Sequence, residues 1–181
     1  MNNLIDINNT LDLIKLKFYN EWLYTAHIYD EGDSQFHRDL TKQVVETYID
    51  PLKLPKDAHI LDLGCGRNLI QEHFKDNKKF TVIGYDYVSY NGSKVADISQ
   101  LPEGDESVKV CVYSQALMGS NWKEYLVEGY RVLEYNGEMI ISESVERFEV
   151  VKEQLAAIGM HVIREEYSET QRWFYIYAIK Q

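Results

Sequence analysis

The chain has 181 residues and a formal net charge of −10 at pH 7, and 45% of its residues are hydrophobic. These values are typical of one folded domain with a sizeable core, and the acidic charge argues against a large sequence-independent phosphate-binding surface. No apolar run is long enough to cross a bilayer, and the first ten residues lack the basic start and apolar centre of a signal peptide. We therefore expect a cytosolic protein with no membrane partner. No metal site is expected either, since the cysteines and histidines do not occur at metal-ligand spacings.

Residues 1–50 are predicted to form an N-terminal helical cap. Apolar side chains recur at helical spacing over Leu4–Leu23. A second helix is predicted over Ser34–Tyr48, with Ser34 as a possible N-cap. The segment Asp50–Pro55 contains two prolines, which end this helix before the core begins.

Residues 58–181 alternate between strand and helix patterns and are predicted to form the core of a single domain. Strands separated by helices indicate a mostly parallel sheet that is covered on both faces. The last two strands have no helix between them, so we expect a hairpin that makes the last strand antiparallel. The predicted class is therefore α/β, with a seven-stranded Rossmann-like sheet. The predicted strands are His59–Leu63, Phe80–Tyr85, Val95–Ala96, Val108–Tyr113, Glu138–Ser142, His161–Glu165 and Arg172–Ile179, and the predicted helices are Asn68–Lys75, Trp122–Leu133 and Arg147–Ile158.

The first predicted strand turns at Gly64-Cys65-Gly66 and enters a helix. Glycines at such a turn let the backbone approach a ligand closely. The dinucleotide-binding fingerprint requires a third glycine where this chain has Leu69, and no Gly-Lys-Ser/Thr follows that would make a phosphate-binding P-loop. An acid, Asp62, lies before the Gly-x-Gly turn. This arrangement is similar to the loop of methyltransferases that use S-adenosylmethionine.

Acidic side chains at the ends of three successive strands supply the expected contacts of this cofactor. Asp62 could hold its amino group, and Asp86 at the end of the second strand could accept hydrogen bonds from both ribose hydroxyls. Asp97 lies where a side chain commonly contacts the adenine amino group, and Ile98 could pack on the ring. The predicted cofactor-binding residues are Asp62, Gly64, Cys65, Gly66, Asp86, Tyr87, Asp97, Ile98, Ser114 and Gln115.

The segment Val112–Trp122 resembles the ribosomal RNA-processing protein 8 family, the nucleomethylin-like methyltransferases, which carry a Ser-Leu-Met-Gly-Thr-Asn element after the fourth strand. Glu128–Glu138, Ser142–Phe148 and Asn20–Tyr24 are similar to further elements of that family, so the resemblance covers about Phe18–Lys180. It implies a class I fold, S-adenosylmethionine as cofactor and methylation of an adenine ring nitrogen in large-subunit ribosomal RNA.

Two positions depart from the family pattern. Arg67 stands where the family usually has an acid, and Gln115-Ala116 replaces a Leu-Ser pair. Both lie next to the predicted cofactor site, so they bear on the acceptor more than on the fold.

The residues after the fourth strand limit which kinds of atom can accept the methyl group. Methylation of an exocyclic base amine typically uses an Asn/Asp-Pro-Pro-aromatic motif, whereas this chain has Ser114–Leu117 there. Methylation of a pyrimidine carbon needs a nucleophilic cysteine, whereas Cys111 lies inside a strand and Cys65 in the cofactor loop. A ring nitrogen, an oxygen or a small amine remains. No catalytic base is assigned, and the candidates for the acceptor site are Gln115, Met118, Asn121, Glu143 and Arg147, with Trp22 and Tyr24 as candidates for stacking on a base.

Three functions stay open at this point. The resemblance favours a methyltransferase that acts on a nucleobase, and the family's example implies that this nucleobase is in RNA. The acidic charge and small size favour a methyltransferase for a small molecule. A third possibility is a catalytically inactive module that binds S-adenosylmethionine.

Overall fold

The structure is a computed structural model that describes residues 32–87, 89 and 91–181, with side chains described from residue 38 onward. The predicted helix over Leu4–Leu23, with Trp22 and Tyr24, lies outside the described residues. Helix α1 (Gly32–Val44) continues into a π-helical turn, Val45–Ile49. The prediction of Ser34 as an N-cap is wrong, because the helix already begins at Gly32 and Ser34 lies in its first turn.

Strands and helices alternate from Ala58 onward, as the sequence predicts. The boundaries differ from the predicted ones by one to a few residues, and a short 3-10 turn, Val145–Arg147, replaces the predicted start of the last helix. The elements are β1 (Ala58–Leu63), α2 (Leu69–His73), β2 (Phe80–Asp86), β3 (Lys94–Val95), β4 (Val108–Ser114), α3 (Trp122–Val132), β5 (Leu133–Ser144), α4 (Phe148–Ile158), β6 (Met160–Tyr167) and β7 (Trp173–Lys180).

The strands form one seven-stranded sheet in the order β3-β2-β1-β4-β5-β7-β6. The pairs among β1 to β5 are parallel, whereas β7 runs antiparallel to both β5 and β6. The predicted Rossmann-like class and the antiparallel last strand are confirmed. The chain progresses outward in opposite directions from β1 and β4, so a crevice opens at their carboxyl ends, where open α/β sheets bind their ligands.

Strand β5 begins earlier than the sequence predicts. The predicted strand starts at Glu138 after a turn at Asn136-Gly137, whereas Leu133 already pairs with Val108, and Glu138 pairs with Val110. The residues between them bulge out of the ladder, with Asn136 at a φ of 60°. The turn-forming residues therefore lie in a bulge within the strand.

Buried side chains form a cluster on each face of the sheet, because successive residues of a strand point to opposite faces. On one face, α1 and its π-helical turn pack on residues such as Ile60, Val110 and Ile140. On the other, α3 and α4 pack on residues such as Leu61 and Cys111. Within the described part of the chain, no helix is both long and apolar enough to cross a membrane.

Candidate cofactor and acceptor site

The loop after β1 is fastened to the end of β2, its parallel neighbour. The amides of Gly64 and Cys65 donate to the carbonyl of Tyr85 over 2.8 and 3.1 Å. The amide of Gly66 donates to Oδ2 of Asp86 over 2.7 Å. The glycine loop and the acid that ends β2 are therefore one hydrogen-bonded unit, as their predicted joint role requires.

The two glycines of the loop serve different purposes. Gly64 has a φ of +74°, and a Cβ added there would lie 2.6 Å from the Cβ of Ala116, so the loop passes against the segment after β4. Gly66 has a φ of +49°, and an added Cβ would meet no atom within 4 Å. Gly64 thus permits internal packing, whereas Gly66 leaves open space beside the backbone for a ligand.

Asp86 is buried and held in a fixed orientation. Its Oδ1 accepts a hydrogen bond from the amide of Tyr87 over 2.7 Å, while its Oδ2 accepts from Gly66. A carboxylate offers about four lone-pair positions in all. Two oriented oxygens at the end of the second strand match the two neighbouring hydroxyls of a ribose.

Asp62 is buried at the carboxyl end of β1. Burial raises the pKa of its carboxyl to about 7, and the negative charge of Asp86 contributes in the same direction. A positively charged amino group placed beside Asp62 would offset both effects. The side chain therefore fits the ammonium group of S-adenosylmethionine, as the sequence predicts.

Asp97 and Tyr87 belong to a hydrogen-bonded chain that crosses the carboxyl edge of the sheet. Oδ1 of Asp97 accepts from the amide and the hydroxyl of Ser99 over 2.9 and 2.7 Å. Burial raises the pKa of Tyr87, and hydrogen bonds of its hydroxyl to Tyr125 and Asp97 add to the effect. Ile98 is buried in the core beneath the glycine loop.

Cys65, a predicted cofactor residue, turns its side chain toward the strand. A Cβ added at Gly84 would lie 2.9 Å from Sγ of Cys65. Burial raises the pKa of this thiol, whereas a hydrogen bond with Ser93 lowers it. The side chain of Cys65 therefore packs against β2 near Gly84.

The segment after β4 is held by β5. Ser114 pairs with Ser142 at the ends of the two strands, and Gln115, at a φ of 56°, donates its amide to the carbonyl of Ser142 over 2.8 Å. Nε2 of Gln115 is buried and has no hydrogen-bond partner among the described residues. A non-glycine residue at positive φ is an uncommon feature that often marks a functional site.

The side chain of Glu143 holds the segment after β4 by hydrogen bonding. Its carboxylate is buried and accepts from the amides of Leu117 and Ser144 over 3.2 and 2.9 Å. Leu117 is fully buried, whereas its neighbour Met118 is 71% exposed. Glu143 therefore positions the segment, and Met118 is a side chain that the segment exposes.

Asn121 ends the segment Gln115–Asn121 that follows β4, which we call the acceptor segment after its predicted role, and connects it to the predicted cofactor side. Its Oδ1 accepts from the hydroxyl of Tyr125 over 2.8 Å, and Tyr125 in turn is hydrogen-bonded to Tyr87. Tyr125 is not among the predicted site residues. Asn121 is the residue directly before α3, and its spacing of four residues from Tyr125 is the signal that could have found this contact.

Glu128 and Arg131 of α3 form a second group that is absent from the predicted site residues. Oε1 of Glu128 accepts from the amide of Leu101 over 2.7 Å. Nη2 of Arg131 donates to Oε1 of Glu128 over 2.6 Å and to the carbonyl of Glu103 over 3.0 Å. We call these contacts of Glu128 and Arg131 with Leu101 and Glu103 the clasp. The clasp holds the segment that follows Asp97 and Ile98. The Glu-x-x-Arg spacing indicates an ion pair, but its contact with Leu101 depends on the fold.

Arg147 lies apart from the glycine loop. Its guanidinium carbon is 4.9 Å from the ring centroid of Trp122, the first residue of α3. The structure thus brings Asp62, Gly64, Gly66 and Asp86 together. It places Arg147 beside the acceptor segment, at the neighbouring strand end.

The sheet order, the glycine loop and the acids at the strand ends define a class I S-adenosylmethionine-dependent methyltransferase fold. A putative S-adenosylmethionine-dependent methyltransferase from Methanococcus maripaludis shares it, with a TM-score of 0.68 and 14% identity over 88% of this chain and 93% of that chain. Residues 5–181 match the family described as hypothetical methyltransferase, and the chain belongs to this family. Family and fold imply S-adenosylmethionine as the cofactor, and the residues described above fit it.

Two relatives are similar over most of the chain. The "25S rRNA (adenine(645)-N(1))-methyltransferase" of Schizosaccharomyces pombe is 30% identical over 84% of this chain and 58% of its own length. The "Ribosomal RNA-processing protein 8" of Dictyostelium discoideum is 29% identical over 92% of this chain and 47% of its own length. The predicted resemblance is confirmed, and the chain spans about half the length of these curated relatives.

Proposed function

We propose that this protein methylates a nucleobase in RNA, with an adenine ring nitrogen as the acceptor atom. The observation that carries the proposal is the similarity over 84% of the chain to a relative named as an adenine-N(1) methyltransferase. The acceptor segment adds support. It lacks the Asn/Asp-Pro-Pro-aromatic motif that methylation of an exocyclic amine typically uses, and its residue Met118 is exposed.

Methyl transfer to a ring nitrogen requires little acid–base catalysis from the protein. When bound, S-adenosylmethionine supplies an electrophilic methyl group, and the ring nitrogen's lone pair forms the new bond as the carbon–sulfur bond breaks. The acceptor nitrogen carries no proton that must leave first. The reaction therefore requires that the protein position the two partners and stabilise the charges of the transition state. It does not require a catalytic base.

The chain's own residues divide this task. Asp62 and Asp86 hold the amino group and the ribose of the cofactor, and Gly66 allows its close approach. Glu143 fixes the backbone of the acceptor segment through the amide of Leu117. Gln115 offers a buried side-chain amide with no partner among the described residues, and such a donor can orient a base by hydrogen bonding.

The test is a transfer assay with labelled S-adenosylmethionine, in which purified protein is incubated separately with total RNA and with a metabolite extract. We expect label in the RNA, and mass spectrometry of the digested RNA should identify 1-methyladenosine. Asp86→Ala serves as the site control, because it should lose cofactor binding and therefore all transfer.

A small-molecule acceptor is the second candidate, and the net charge of −10 favours it. Label confined to the metabolite extract would replace the proposal with this candidate. Cofactor binding without transfer to either extract would instead indicate an inactive binding module.

A further inference from the structure

A groove runs along α4 against the N-terminal end of α3, and it adjoins the acceptor segment at Trp122. It has a volume of about 390 Å³ and is lined by Trp122, Lys123, Arg147, Val150, Glu153, Gln154 and Ala157. Two cations and one carboxylate line it, although the whole chain carries a net charge of −10. The groove is therefore locally positive on an acidic protein.

Both cations lie near the same aromatic ring. The guanidinium carbon of Arg147 is 4.9 Å and Nζ of Lys123 is 5.7 Å from the ring centroid of Trp122. Cation–π attraction stabilises the long side chains in these positions. An aromatic ring flanked by basic groups is the combination with which proteins bind single-stranded nucleic acids.

Two nitrogen donors of Arg147 make no hydrogen bond within the described residues. Its Nε and Nη2 are buried and have no hydrogen-bond partner among the residues that the structure describes. A buried donor without an acceptor is destabilising. A small shift of the side chains around Arg147 would open these donors to the groove, where a ligand oxygen would supply the missing acceptor; the planar guanidinium fork matches two oxygens of a phosphate.

We propose that this groove, which we call the Trp122–Arg147 groove, binds a backbone phosphate of the acceptor RNA next to the methylated nucleotide. The inference rests on the proposed function. It assigns Arg147 to the phosphate and Lys123 to the surrounding negative potential. The groove adjoins the segment that carries Met118 and Asn121, so a strand entering the acceptor site passes it.

The experiment measures binding of a fluorescently labelled, adenine-containing single-stranded RNA dodecamer as a function of salt. Arg147→Gln should weaken binding about tenfold, because it removes a charge-assisted hydrogen bond. It should also lower the slope of log K against log salt by about 0.7, the value for one lost phosphate contact to a single strand. Arg147→Lys keeps the charge but not the fork, so it should keep the slope while weakening the affinity.

The matched control is Arg164→Gln. Arg164 also lies over an aromatic ring, 5.2 Å from the centroid of Tyr48, but it is ion-paired with Glu166 on the edge strand β6. Its RNA affinity and salt slope should equal those of the wild type, and all variants should bind S-adenosylmethionine with unchanged affinity.

RNA methylation by the wild type together with unchanged binding in Arg147→Gln would overturn the groove assignment alone. Equal losses in Arg147→Gln and Arg164→Gln would also overturn it, as they would show a general charge effect. Absence of both RNA binding and RNA methylation in the wild type would overturn the proposed function as well.

Discussion

Asp62 makes the stability of the cofactor-free protein depend on pH. The pKa of its carboxyl is about 7 in the fold, against an ordinary value of 3.8. Between these values the folded state binds more protons than the unfolded state, so the free energy of unfolding falls as the pH rises. Asp62→Asn removes this term. We expect the stability of the variant relative to wild type to rise between pH 5 and pH 7, by up to about 1.4 kcal/mol per pH unit.

Urea denaturation at several pH values without cofactor measures this difference. Asp39→Asn is a suitable control, since Asp39 is exposed on α1. A difference between Asp62→Asn and wild type that does not change with pH would contradict the assignment of a raised pKa to Asp62.

The same carboxyl should make cofactor binding depend on pH. If the amino group of S-adenosylmethionine contacts Asp62, binding favours the ionised carboxylate, so the affinity should rise between about pH 6 and pH 7.5. The limit is about tenfold per pH unit. Asp62→Asn should bind more weakly and with a nearly flat profile in this range. Calorimetry in two buffers of different ionisation enthalpy checks the expected proton release, and identical profiles for both proteins would exclude the contact.

Gly64 offers a test of the packing between the glycine loop and the acceptor segment. Gly64→Ala places a Cβ 2.6 Å from that of Ala116 at a φ of +74°. It should lower the free energy of unfolding by more than about 2 kcal/mol, since the left-handed conformation alone costs about 1–2 kcal/mol for a residue with a Cβ. Adding Ala116→Gly should restore the steric part only. A double-mutant cycle by denaturation measures the coupling, and strictly additive effects would contradict the contact.

At the scale of elements, the sequence predicted what depends on local order along the chain. Strand ends carry the glycine loop, Asp86 and Asp97, so the predicted cofactor side of the site follows from alternating strands and helices alone. The pairing of residues in different strands could not be predicted from the sequence in the same way. Asn136 has the predicted turn conformation, yet it lies in a bulge because Leu133 still pairs with Val108.

The parts of the site that escaped prediction are contacts between distant elements. Glu128 was recognised only as part of a family motif, and its bond to the amide of Leu101 joins residues far apart in sequence. The positive φ of Gln115 arises at the end of β4, where its amide must reach Ser142 of β5. Neither feature follows from hydrophobic periodicity or turn chemistry.

The clasp between α3 and the β3–β4 connection gives a prediction at this scale. Glu128→Gln removes the charge that Arg131 faces and leaves one acceptor oxygen for Leu101. We expect a loss of about 1–3 kcal/mol in the free energy of unfolding and weaker binding of S-adenosylmethionine, because the segment beyond Asp97 and Ile98 loosens. Chemical denaturation and calorimetry measure the two effects.

Asp105→Asn is the control for the clasp. Asp105 also pairs with Arg131, but its side chain is exposed, so its substitution should cost less than about 1 kcal/mol. Equal effects of Glu128→Gln and Asp105→Asn on cofactor affinity would show that the clasp does not position the segment that follows Asp97 and Ile98 for cofactor binding.

For the whole molecule, the decisive feature is that one sheet carries both core clusters. Ile60 and Leu61 are neighbours on β1 but belong to opposite clusters, as do Val110 and Cys111 on β4. Every central strand thus contributes to both faces. The helices that frame the acceptor side pack on one face, and α1 packs on the other, so neither cluster can be lost without exposing the strands that hold the site.

This shared sheet predicts that a cavity under α1 destabilises the far face as well. Val44 is 0% exposed, whereas Val127 on α3 is 50% exposed, so Val44→Ala should cost about 2 kcal/mol and Val127→Ala less than about 0.5 kcal/mol. In Val44→Ala, urea transitions reported by Trp122 on one face and by Trp173 on the other should shift together, with unchanged steepness. Variants in which Trp22 and one of these two tryptophans are replaced by phenylalanine separate the two signals, and a shift confined to Trp173 would mean that the faces unfold independently. A common shift would show that the two faces, and the strands that carry the glycine loop between them, unfold as one cooperative unit.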